Sequence, residues 1–179
     1  MDYAKVLERF KYQSDDIIMN RISKIDKANF QEGRDIVNEI VLWKLNRSIF
    51  IKNNTLELLY SIENLSNPLE VTNNKKVYNL IYQLLSSRGI KLAVASAILH
   101  FYYPTIFPII DQRSYRELTK KEFPNYSSKD KIDRYIKLYL DYIKKCYEYN
   151  NIMCPDIPFK SIDKILYQID KEKGNKVKY

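Results

Sequence analysis

Residues 84–118 read LLSSRGIKLAVASAILHFYYPTIFPIIDQRSYREL, and this stretch decides the fold. A helix rich in leucine and isoleucine ends at Ser87-Arg88-Gly89-Ile90-Lys91, and a second, apolar helix leaves at Leu92. Gly89 supplies a backbone conformation closed to other residues, as a tight corner between two helices requires. The hairpin N–H groups then stand at the start of the second helix, where the helix dipole favours an anion. Arg88 and Lys91 flank that point with positive charge. Pro104 and Pro108 stop the second helix and force an extended crossing. The crossing delivers Asp111 to the start of a short helix, where the carboxylate is also placed to cap it.

Working outward, the same periodicity recurs on both sides. Val77, Leu80, Ile81, Leu84 and Leu85 mark the inward face of a helix over 75–86. Upstream, Asn29 with Glu32 reads as a capping box, and Ile36, Val37, Ile40, Val41 and Leu45 form one expected buried face. A first element over 3–25 reads as two helices meeting near Ser14, and another helix spans about 55–65. The polar run 66–74 reads as a loop, whereas 129–149 and 161–171 read as amphipathic helices. With three glycines and six prolines in 179 residues, the chain disfavours a turn-rich β fold. The expectation is an all-α protein of about nine helices in one domain over 1–179, folded as two small lobes around a cleft. The tail 171–179 is expected to fray.

Composition narrows the function without choosing it. The formal charge of +8 at a sequence pI near 9.2 suits a polyanionic partner, nucleic acid or an anionic membrane. Between Arg113 and Lys145, ten basic residues stand against five acidic ones. Residues 92–110 approach the length of a membrane span, but His100, two tyrosines and two prolines make a buried helix and crossing the better reading. Cys146 and Cys154 are too few for a disulfide framework and lack partners for a zinc site, as expected of thiols in the cytoplasm. The N-terminus, MDYAKVLERFKYQ, lacks the apolar core of a signal peptide.

The central stretch resembles the helix-hairpin-helix and aspartate motif of the base-excision DNA glycosylases. Gly89-Ile90 corresponds to the first Gly-Val of that hairpin, and Ala95-Ser96-Ala97-Ile98-Leu99 to its small-then-apolar helix. Phe107 to Arg113, FPIIDQR, corresponds to the segment that carries the aspartate. Trp43-Lys44 together with Ala95–Arg113 also resembles short bacterial proteins of the 8-oxoguanine-DNA-glycosylase fold. The motif occupies about 75–120. The resemblance implies a DNA partner, base flipping, DNA repair and a catalytic carboxylate at Asp111. It further implies DNA contacts by Arg88, Gly89, Ile90, Lys91, Arg113 and Arg116. Trp43 and Lys44 become candidates for the base pocket, Trp43 by stacking. No metal or organic cofactor is implied, although hairpins of this family can hold a monovalent cation.

Two departures bear on the chemistry. Lys91 replaces the second hairpin glycine, and Ala93 stands where strand-cutting members carry a nucleophilic lysine. The expectation is therefore a monofunctional glycosylase hydrolysing an N-glycosidic bond. Two alternatives stand beside it: a non-catalytic DNA-binding module of the same fold, for example in phage defence, or a helical protein-interaction protein. His100, inside the apolar helix, reads as a satisfied buried residue rather than a base.

Overall fold

The computed structural model of the chain describes residues 16–26, 28–45, 47–62, 65–127 and 129–177. Among these it is all-α, with eight α-helices, two 3-10 turns and no strand. The chain divides into two compact units, Met1–Ile49 and Phe50–Tyr179.

In the N-terminal unit the described helices are α1 (Asp16–Lys24) and α2 (Phe30–Lys44). The part of the first expected element over 3–15, with its junction at Ser14, lies outside the described residues. Asn29 makes its half of the expected capping box, its side chain accepting from the Glu32 N–H at 3.1 Å. Arg21 pairs with Glu39 across the two helices. The expected inward face of α2 is corrected. Ile36 is buried, but Val37, Val41 and Leu45 are each more than half exposed. Two described helices in contact cover only a narrow stripe of one another, so periodicity marks more apolar surface than this pair buries.

The C-terminal unit holds the main core. Its helices are α3 (Asn53–Tyr60), α4 (Lys75–Ser86), α5 (Leu92–Tyr102), α6 (Gln112–Thr119), α7 (Lys131–Met153) and α8 (Ile162–Glu172). The expected bounds of α4 hold residue for residue. On it Val77, Leu80, Ile81 and Leu84 are fully buried, each worth about 2 kcal/mol of transfer free energy. They meet Ile136, Tyr139 and Ile143 of the long α7, which packs against α4, α6 and α8.

The expected loop over 66–74 is instead a 3-10 turn, Pro68–Asn73, lying against α7. Its asparagines act as caps. Asn67 accepts from the Leu69 N–H at 2.8 Å, and Asn74 accepts from the Lys76 and Val77 N–H groups that open α4. Val71, in the middle of the turn, is fully buried. No helix among the described residues is long and apolar enough to cross a membrane.

Candidate functional site

The crossing between α5 and α6 passes through the core, where every buried backbone polar group needs a partner. Side chains from three helices provide them. His100 Nδ1 lies 2.8 Å from the Phe107 carbonyl, so the ring is the satisfied buried residue its position suggested. Tyr139 donates to the Pro108 carbonyl at 2.9 Å, and Tyr142 to the Ile109 carbonyl at 3.1 Å. The Ile109 N–H donates to Asp163 at 3.2 Å, and the Ile110 N–H to Ser96 at 3.1 Å. Burial pushes both phenols well above their ordinary range, which keeps them as neutral donors.

This clamp ends at Asp111. Its Oδ1 accepts from the Ser114 N–H at 2.7 Å, while its own N–H donates to the Ser114 hydroxyl at 3.0 Å. The two bonds form a reciprocal capping box that opens α6. Asp111 is half-buried. The capping role weighed for it from sequence is therefore real, and it occupies one of the two carboxylate oxygens.

The Ser87–Lys91 corner forms as expected. The Ile90 N–H donates to the Ser87 carbonyl at 3.2 Å, closing a tight turn, and Gly89 has φ 80°. Ile90 is buried and pins the corner to the core, whereas Arg88, Gly89 and Lys91 are exposed. Lys91 precedes α5 with φ −100° and ψ 173°, extended backbone that any residue adopts. Nothing at position 91 requires the missing glycine. No side chain caps the start of α5 at this position, and the two cations beside it are exposed.

Arg113 and Arg116, one turn apart on α6 as their spacing suggests, are placed differently: each pairs with an acidic neighbour. Both hold Asp170 of α8, which is fully buried. Arg116 binds it through Nε at 2.8 Å and Nη2 at 2.7 Å, a bidentate fork. Arg113 reaches the same carboxylate at 3.2 Å and the Asn175 carbonyl at 2.9 Å. Arg116 holds the Asp170 carboxyl below its usual range, with help from Asn175 and Arg113. Next to this cluster, Glu117 binds Lys173 and Lys120. Burial raises the Glu117 carboxyl, but those two ammonium groups outweigh it and hold it below the usual range.

The same contacts correct the reading of the tail. Asn175 donates to Asp170 at 2.9 Å, and the Lys176 carbonyl accepts from Arg116 at 3.3 Å, so the chain is held at least that far. Residues 178 and 179 lie outside the described residues.

Trp43 and Lys44 occupy the last turn of α2 in the N-terminal unit, Trp43 half-buried and Lys44 exposed. Sequence reasoning missed the buried acids of α8. A signal existed: Asp163 and Asp170 are seven residues apart, on the same face as Ile162 and Leu166. Acids on an apolar face imply buried partners. Among the described residues, no group of His, Cys, Asp and Glu is arranged to hold a metal ion. A comparison with protein families, with curated proteins and with solved structures finds no match to this chain.

Proposed function

We propose that this chain binds DNA, gripping a strand phosphate at the Arg88–Lys91 corner. The observation that carries this reading is the corner itself: an exposed turn with Gly89 at φ 80°, a cation on either side, and the uncapped start of α5 behind it. A phosphate there accepts from backbone N–H groups and is paired by Arg88 and Lys91, with the α5 dipole adding to both. The overall basic charge is the long-range part of the same attraction. This arrangement agrees with the helix-hairpin-helix resemblance of the sequence.

A second reading adds catalysis, with the chain as a monofunctional DNA glycosylase. It is favoured by the clamp on residues 107–110, which fixes the backbone that presents Asp111. Cleavage of an N-glycosidic bond develops positive charge on the sugar as the base leaves with the bonding electrons. A fixed carboxylate stabilises that charge, and its second oxygen takes a proton from the water that attacks the anomeric carbon. The departing base takes up a proton from solvent and the carboxyl gives its own back to solvent, so the products are a free base and an abasic site.

Both readings meet one experiment, run on labelled duplexes carrying a panel of damaged, mismatched and modified bases. Binding is recorded by anisotropy across a salt series, and cutting by a gel after hot alkali. The expected outcome is salt-sensitive binding, with the Arg88→Ala/Lys91→Ala variant reducing the salt slope by about one, for the one phosphate lost. An alkali-dependent cut lost in Asp111→Asn establishes the glycosylase. Binding with no cut on any duplex favours the non-catalytic module. Absence of binding at low salt defeats both readings.

A further inference from the structure

A cleft of about 350 Å³ opens beside the Arg88–Lys91 corner, between the start of α3 and the end of α4. Its volume is at the lower end of the about 300–1,000 Å³ typical of small-ligand sites. Its lining residues include the aromatic Phe50 and Tyr82, the basic Lys52 and Arg88, and the amide-bearing Asn54 and Gln83. No acidic residue lines it. Asp111 is not among its walls.

Three features give this cleft a chemical preference. Phe50 and Tyr82 line the cleft and are 62% and 44% exposed, so their aromatic side chains are accessible to a ligand without rearrangement of the core. The Gln83 amide is held, its oxygen accepting from the buried Thr55 hydroxyl at 2.8 Å. The cleft and the corner share Arg88, whose carbonyl accepts from the Phe50 N–H at 3.4 Å. Aromatic faces beside cations, with no carboxylate to repel a phosphate, match one nucleotide. A paired base cannot use the rings, because its faces are already covered by its neighbours in the stack.

We propose that this cleft takes one unpaired nucleotide, its base stacked on Phe50 or Tyr82 and its phosphate paired with Lys52 and Arg88. The next phosphate of the strand then reaches the corner at Lys91. This rests on the DNA-binding reading of the corner and adds a preference for strands with an unpaired base, at a site separate from Asp111.

The test compares two labelled duplexes of the same sequence, one fully paired and one with a single bulged thymidine. Anisotropy is measured for the intact chain, for Phe50→Ala/Tyr82→Ala and for Lys91→Ala. Stacking of one base corresponds to a preference for the bulge of about fivefold or more. The expected result is that preference in the intact chain and its loss in Phe50→Ala/Tyr82→Ala, with affinity for the paired duplex unchanged. Lys91→Ala is expected to weaken both duplexes alike. Equal affinity for the two duplexes, or a preference that survives loss of both rings, overturns the cleft proposal. The corner reading then stands or falls separately, by whether Lys91→Ala weakens binding. Failure to bind either duplex overturns the corner and the cleft together.

Discussion

The corner at Arg88–Lys91 and the α6–α8 contact both carry arginine and lysine side chains and put them to opposite uses. At the corner the cations are exposed, and the adjoining cleft has no acidic wall. Between α6 and α8, Arg113 and Arg116 converge on the buried Asp170, and Lys173 on the nearly buried Glu117. One set of charges is available to a partner, and the other is neutralised within the fold. Counting basic residues along the chain does not separate them. What separates them is whether a carboxylate from a distant helix comes within about 4 Å, where its Coulomb attraction dominates.

The sharpest way to break the comparison is to remove Asp170. Asp170→Ala removes the buried carboxylate that both guanidinium groups bind, leaving Arg116 only the exposed Glu122, at 3.9 Å, as an ion-pair partner, and a loss of about 3 kcal/mol in urea unfolding is expected. A loss under about 1 kcal/mol would mean that the arginines reorient to solvent, and that the two regions differ less than the geometry indicates. Acid probes the same contact. The carboxyls of Asp170 and Glu117 are both held below their ordinary range, so the unfolded chain takes up their protons first as pH falls. Their contribution is complete above the ordinary carboxylate pKa of about 4 and is lost as pH drops through the lowered values. Thermal melts of the intact chain should fall steeply below about pH 4, and less steeply for Asp170→Ala.

Smaller effects are expected at the corner. Gly89→Ala places a Cβ at φ 80° and should cost about 1 kcal/mol, seen as a lowered urea midpoint with the slope unchanged. Arg88→Ala/Lys91→Ala should change stability by less than about 0.5 kcal/mol, because neither side chain is buried. A larger loss would show that these cations support the fold after all. Taken with the DNA titration under Proposed function, a stable variant with weakened binding is the signature of a surface kept for a partner.

Much of this architecture was legible in the sequence, and the reason is local. The bounds of α4, the corner at Gly89 and the break after α5 follow from apolar spacing, one glycine and two prolines, all acting within a few residues. The short helix after Asp111 follows from its cap. Where local signals were weak, the sequence misled. The polar run with paired asparagines reads as a loop, yet Val71 inside it is fully buried and draws the segment into a 3-10 turn against α7. The face of α2 shows the reverse: its periodicity is correct, but periodicity reports an apolar stripe and not what covers it.

The candidate site divides along the same line. By itself the sequence determined an all-helical basic chain, a glycine corner between two cations, and a carboxylate at the start of a helix. Each of these depends on residues a few positions apart, whose backbone geometry is set by their own side chains. Only the tertiary structure decided which charges remain available and how Asp111 is held. Asp170 lies 54 residues from Arg116, and Tyr139 lies 31 from Pro108. No pattern of neighbours encodes those pairs. They form because burial of the apolar faces of α7 and α8 carries their polar residues into the core. There an unpaired donor or acceptor is costly, and the crossing and the arginines are the groups within reach.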